Sequence, residues 1–479
     1  MGRLSSIALL GFCAVTCCVS VRAAERSAAD LLAGDSPLSS GSSGPNPCTF
    51  GELSTALTLS DAVSRTMCGN PKTRGAWATI KLNAAAVKIG RESYLPTIAL
   101  NVREVRSITQ TRLNDEPALN TDARDLYPAA SLSLSWILYD FGQRSDALES
   151  AQQLLAAARA NLDLNLQQVF LQTAADYYDA QAAQASLDSS LQIEDLAKKS
   201  AVAAHIRVEK GVAPISDELQ AQTAFAQAVV NRVKAEADLK TKRGALAVDM
   251  GMDPDRAITV PQADPDINAQ GNFTDSLHEL IEEAKRSHPS VAMAERQLAA
   301  AKAGEKSARA KSYPTLSLVA GVSRSNQPLT PSLGSPTVPG SVTDRSIGIQ
   351  IDVPLSDALW KRGLIDQAHA QVELQQETLN GAEHQVAQDV WNSYTALKEN
   401  TDNLANSAAL LDSARKSLES TQHRYEGGVG NILELLGSQA AYASAAQQRI
   451  QSLSDWRFAR LALGASLGRL GLWAVEGVN

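Results

Sequence analysis

Apolar residues change period several times along the chain, and each change predicts a new element. From Leu59 the spacing is helical; it breaks at Gly69-Asn70-Pro71 and resumes to about Ser93. Ile98, Leu100 and Val102 then alternate with Ala99, Asn101 and Arg103, and Leu132, Leu134, Trp136 and Leu138 share one face of the next stretch. A two-residue period with one apolar and one polar face marks a half-buried strand. Residues 107–126, between these strands, have the composition of a long polar loop. Gln143 to Lys210 holds neither Pro nor Gly, and Leu148, Leu155, Leu162 and Val169 sit seven apart. One helix is predicted there, roughly 100 Å long at ~1.5 Å per residue. Gly211-Val-Ala-Pro214 then turns it into a returning helix.

The whole pattern occurs twice. Pro71, Pro96, Thr97 and Leu100 recur 218 positions on, at Pro289, Pro314, Thr315 and Leu318. After one deleted residue the shift is 217: Asp140, Tyr177, Arg207, Gly211, Val212, Ile215 and Gly251 match Asp357, Tyr394, Arg424, Gly428, Val429, Ile432 and Gly468. The second strand pair carries Leu316, Leu318, Ala320 and Val322, then Ile347, Ile349, Ile351 and Val353, around a Pro-rich loop at 324–345. Another long helix is expected from about Asp357 to Glu426, turning at Gly427-Gly-Val-Gly430. Asn431 with Glu434 three residues on reads as a capping box for the helix after it. The expected division is a signal peptide at 1–23, an N-terminal arm at 24–56, one repeat at 57–252, a linker at 253–274, a second repeat at 275–470 and a tail at 471–479.

Composition narrows the class. Of 479 residues 44% are hydrophobic, 20% charged and only 5% aromatic, which favours slim helices packed through small side chains over a thick core. The formal charge of −8 argues against nucleic acid as a partner. Arg3, the apolar run Ile7 to Val21 and Val21-Arg22-Ala23 make up a secretory signal. Phe12 and Thr16 are poor neighbours for lipid attachment to the cysteines that follow them. In the oxidising compartment so implied, Cys48 and Cys68 are expected to form a disulfide, with two unpaired thiols as the alternative. Strands of about ten residues suit a tilted crossing of a bilayer, and long polar loops suit the outer rim of a barrel; a soluble hairpin layer is the alternative.

On these residues the chain resembles the TolC-like outer-membrane efflux and secretion channels. Leu134-Ser-Trp-Ile-Leu-Tyr-Asp-Phe-Gly142 and the Gly-Val turns followed by Ile215 and Ile432 carry the likeness. The resemblance implies a mixed α/β membrane protein: a transmembrane β-barrel, four strands per protomer, continuing into a long α-helical coiled-coil barrel, built from two internal repeats. It implies a homotrimer in the bacterial outer membrane, with its helical part in the periplasm. Its partners would be outer-membrane lipid, a periplasmic adaptor and an inner-membrane transporter. The lipid-poor cysteine context leans towards type I protein secretion; drug or metal efflux is the alternative. A periplasmic adaptor is the competing class, although adaptors usually carry one helical hairpin.

The resemblance also places a periplasmic gate at the tip turns, Gly211 with Val212 and Gly428 with Val429. Tyr425 takes the position of a gate-closing aromatic, Asp217 of its acidic partner and Glu434 of an entrance acid. Gly430 stands where related channels carry a gate arginine, for which Arg424 is the substitute at hand. Each has a plainer role: Glu434 as a cap, Asp217 as complement to a helix N-terminus, Tyr425 as packing. No enzyme is expected. Gly464-Ala-Ser466-Leu-Gly468 fits G-x-S-x-G but ends a helical stretch instead of following a strand, and its repeat mate has Asp249 for the serine. The six histidines show no ligand spacing, so no metal or cofactor is expected.

Overall fold

The computed structural model describes residues 48, 50, 56–114, 116–262, 276–329, 335, 338–354 and 358–470. The signal peptide, almost all of the arm, linker residues 263–274 and the tail lie outside them. Two short helices, α1 (Leu59–Gly69) and α2 (Pro71–Glu92), lead into strands β1 (Thr97–Thr111) and β2 (Thr121–Tyr139). Two long helices follow, α3 (Gln143–Glu209) and α4 (Ile215–Asp249). The same order returns as α5 (Leu277–Ser287), α6 (Pro289–Ala310), β3 (Thr315–Ser325), β4 (Val342–Asp352), α7 (Ala358–Glu426) and α8 (Ile432–Ser466).

The break between α1 and α2 is built locally. Asn70 accepts a hydrogen bond from the Lys72 N–H, and Pro71 opens the new helix where no intrahelical donor is needed. In the second half His288 caps α6 in the same way, its Nδ1 accepting from the Ser290 N–H.

The strands form one antiparallel sheet in the order β1-β2-β3-β4. They are longer than the hydrophobic alternation indicates. Residues expected in a polar loop at 107–126 are largely ladder: Ser107 pairs with Asp125 and Thr111 with Thr121. Polar residues on both faces hide a strand from a hydrophobicity pattern, and β-branched Thr and Ile extend a register already set by the apolar segment below. Pro128 sits just past the last β2–β3 pair, at Ala129, where a missing N–H breaks no bond.

The strand-to-helix corner is tight. Phe141 and Gly142 are left-handed, at φ 54° and 95°. Asp140 then accepts from the Arg144 backbone N–H and from its Nε at 2.7 Å. Trp136 Nε1 donates to the Tyr94 carbonyl, the Arg144 guanidinium lies 4.7 Å from the Tyr94 ring, and Tyr139, Phe141 and Tyr313 stack in series. Aromatic side chains thus gather at the end of the sheet that meets the helices.

Helix α3 is the spine of the helical part and packs on α2, α4, α6 and α8. The main core joins Phe170, Ala174, Tyr177 and Tyr178 of α3 with Val63 of α1, Leu246 of α4 and Leu461 of α8. The Tyr177 hydroxyl donates to the Leu57 carbonyl, and burial, first among the causes, pushes its pKa up to about 12. A second cluster joins α5, α7 and α8 around Val386, Val390 and Trp456. Cys48 is bonded to Cys68 with their Cα atoms 5.7 Å apart, fastening the chain before α1 to that helix.

One acid pair in this region makes stability depend on pH. Burial, and then the neighbouring Asp176 carboxyl, push Asp249 at the end of α4 from 3.8 up to about 7; Lys72 works in the opposite direction. The folded chain therefore holds this proton more tightly than the unfolded chain. Its stabilising contribution is complete below pH ~4 and lost as pH rises through ~7. Asp249→Asn is expected to unfold at a higher temperature than wild type at pH 8, with the gap narrowing at pH 5. Thermal melts followed by circular dichroism check this.

Candidate functional site at the helical tip

The far end of the helices is made by two turns of matching geometry. After α3, Gly211 is left-handed (φ 73°) and the Val212 N–H donates to the Arg207 carbonyl at 2.9 Å. After α7, Gly428 is left-handed (φ 78°) and the Val429 N–H donates to the Arg424 carbonyl at 3.0 Å. This six-residue closure satisfies helix-end carbonyls and needs a residue tolerant of positive φ, which glycine is. Val212 and Val429 stand 65% and 75% exposed at the crests.

Acids follow at once. Asp217 and Glu218 lie in the first turn of α4 and Glu434 in the first turn of α8, where negative charge complements the helix dipole. Asn431 accepts from the Leu433 N–H as the cap of α8. The other half of the expected capping box is absent, because Glu434 turns instead to Arg424, Oε2 to Nη1 at 3.3 Å. Glu218 accepts from Gln222 and lies 2.8 Å from His205 Nδ1.

Tyr425 is only 4% exposed and packs with Ala204, Ala221, Leu418, Ile432 and Leu435. Its hydroxyl has no hydrogen-bond partner among the described residues. Its charged neighbour is Arg207: the guanidinium carbon sits 4.6 Å from the ring centroid, and Nη1 donates to the Tyr425 carbonyl at 3.0 Å. Asp217 meets the Ser216 hydroxyl at 3.5 Å. The fold therefore joins Arg424 to Glu434 and Tyr425 to Arg207, and does not join Asp217 to Tyr425. Sequence reasoning passed over Arg207. Its position as the repeat mate of Arg424 was the available signal.

The remaining candidate chemistry is structural. Ser466 is the last residue of α8 and donates to the Leu463 carbonyl, with left-handed Gly468 ending the helix, so no strand presents it as a nucleophile. Among the described residues no group of three or more His, Cys, Asp or Glu could hold a metal ion.

The sequence profile of the outer membrane efflux protein family matches residues 62–251 and again 280–469. The chain belongs to that family. This outer membrane efflux protein is 29% identical to protein CyaE of Bordetella pertussis over 421 residues, covering 88% of this chain and 86% of CyaE. Its fold is that of the solved outer-membrane channel OprN, with a TM-score of 0.73 at 20% identity over 86% of this chain and 90% of OprN. The outer membrane protein VceC of Vibrio cholerae gives a TM-score of 0.72 at 18% identity, covering 86% of this chain and 96% of VceC. Outer membrane efflux proteins are passive channels that work as trimers with an adaptor and an inner-membrane pump; this one is not an enzyme. No helix among the described residues is long and apolar enough to cross a membrane.

Proposed function

We propose that the protein is the outer-membrane exit duct of a tripartite export system. It passively conducts substrate delivered by an inner-membrane transporter through a periplasmic adaptor. The observation that carries this reading is the sheet. Its four strands end in two edges, β1 and β4, with no partner strand among the described residues, while Ile98, Leu100, Val102, Ile347, Ile349 and Ile351 are all more than 60% exposed. Open edges bearing apolar side chains are unstable in water but suit a barrel closed between subunits in lipid. Three copies would supply twelve strands, and the aromatic side chains at the helix end of each sheet would then line one membrane interface.

Helices of 67 and 69 residues extend about 100 Å at ~1.5 Å per residue, enough to serve as a periplasmic tunnel. Asp217, Arg424, Tyr425 and Glu434 form the constriction at its mouth, where charge in a narrow ring governs ion passage. The two matched segments act as repeats of one unit, giving each protomer two tip turns in that ring. Type I protein secretion is the favoured system, supported by the poor lipid-attachment context of Cys13 and Cys17.

Cell fractionation and planar-bilayer recording test the duct. The expected result is an outer-membrane oligomer that conducts ions. A chain that stays with the inner membrane, as an adaptor would, overturns the reading. Deleting the gene is expected to abolish release of a secreted protein and leave drug sensitivity unchanged; the reverse outcome assigns the duct to drug efflux.

A further inference from the structure

The apolar face of the sheet ends in an arginine on every strand. Residues opposite one another in a ladder share a face, and the register pairs Ile98 with Leu134, Leu134 with Ala320 and Ala320 with Ile347. One apolar face thus continues across all four strands. From the helix end outward along that face, Arg106 follows Val102 and Glu104 on β1, and Arg124 follows Leu132 and Leu126 on β2. Arg324 follows Val322 on β3, and Arg345 follows Ile347 on β4. All four arginines are exposed, and none makes a hydrogen bond or ion pair among the described residues. The strands hold no lysine, and their remaining basic residue, Arg103, lies on the opposite face in register with Ala129. At its helix end the apolar face carries no basic residue; aromatic side chains gather there instead.

We propose that Arg106, Arg124, Arg324 and Arg345 form a docking band for the phosphate groups of a phosphorylated glycolipid in the outer leaflet of the membrane. This rests on the duct reading, which puts the sheet in the outer membrane, and names the lipid that its outer end takes. Charge on the lipid-facing side of a strand is costly in hydrocarbon and cheap at the interface, so the arginines mark where headgroups begin. Their stems lie along apolar surface while the guanidinium reaches outward, and strand tilt of ~35–45° brings different ladder positions towards one headgroup layer.

The residue type and the charge balance both favour phosphate. A guanidinium presents a planar fork that matches two phosphate oxygens, which an ammonium does not. Glu104 is an acid on the same face, and Asp122 near the strand end is already bridged to Arg112, so the band stays positive in a chain of net charge −8. Closing a barrel between subunits brings β1 and β4 together, within reach of a neighbouring copy's acids. Arg124 and Arg324 stand on the two inner strands, away from that seam, and are left to lipid.

Native mass spectrometry of the full-length protein in detergent, titrated with lipid A carrying two phosphates, one phosphate or replaced by phosphatidylcholine, tests this. Wild type is expected to bind in that order of decreasing affinity. The Arg124→Gln/Arg324→Gln double variant is expected to bind bisphosphorylated lipid A about 10–30-fold more weakly, the range for two arginines at an anionic lipid surface. Arg103→Gln, on the other face, is expected to bind as wild type does, and millimolar inorganic phosphate is expected not to displace the lipid. Equal affinity for the three lipids overturns the proposal with wild type alone. So does an unweakened double variant, an equal loss in Arg103→Gln, or displacement by inorganic phosphate, which would make the site one for free anions. A protein that binds lipid A through these arginines yet passes no current in a bilayer would defeat the duct reading and still support the band.

Discussion

Gly430→Arg, which puts at this position the gate arginine that the resemblance implies, is expected to open the tip instead of closing it. In the second turn both the Val429 and Gly430 N–H groups donate to the Arg424 carbonyl, at 3.0 and 2.9 Å. That extra bond winds the turn tightly. A Cβ on residue 430 would lie 2.6 Å from the Tyr425 nitrogen and 2.8 Å from the Arg424 carbonyl carbon. Both are backbone atoms of a helix end and cannot swing aside like a side-chain tip. Any larger residue must therefore push the turn away from Tyr425, at a cost of about 1–3 kcal/mol for overpacking. The expected outcome is a higher single-channel conductance and a lower melting temperature. Val429→Arg, one residue earlier and 75% exposed, is the control and should melt like wild type.

Phe170→Ala is expected to be the most destabilising single truncation, by about 3–5 kcal/mol, the range for a buried Phe. Phe170 is 1% exposed at the point where α1, α3, α4 and α8 meet, beside Val63, Tyr177, Leu246 and Leu461. Farther along α3 the buried side chains include Ala197, Ser200 and Ala204, where truncation removes little. Helices α3, α4 and α8 around it run for 67, 35 and 35 residues, and elements of that length resist collapsing into the space left behind. Chemical denaturation of the purified protein measures the loss, with Val212→Ala at the exposed crest as a near-neutral comparison.

Much of the architecture was legible in the residues. The absence of Pro and Gly from Gln143 to Lys210 foretold α3 to within a residue, because nothing in that stretch stops a helix. Asn70-Pro71 foretold the break between α1 and α2 for an equally local reason, a cap followed by a ring that cannot continue the preceding helix. The outer half of β1 and β2 was not legible. Ser107, Thr109, Asp122 and Arg124 pair across the ladder with polar groups on both faces, and only the register of the inner segment carries the strand that far.

At the tip the division is sharper. Residue type and repeat spacing identified the turns at Gly211 and Gly428, since left-handed backbone is a demand on one residue at a time. They also located Tyr425, Asp217, Arg424 and Glu434 within that end of the molecule. Who pairs with whom was beyond them. Arg207 and Arg424 have the same local sequence role, and pairing each with the nearest acid would be right for one and wrong for the other. Side-chain partners depend on which helices are brought side by side, and here the packing of α3 against its neighbours, 218 residues from Tyr425 in the chain, delivers a guanidinium to an aromatic ring. Helices and turns follow from short stretches of chain, whereas charge pairing at the mouth follows from distant stretches meeting.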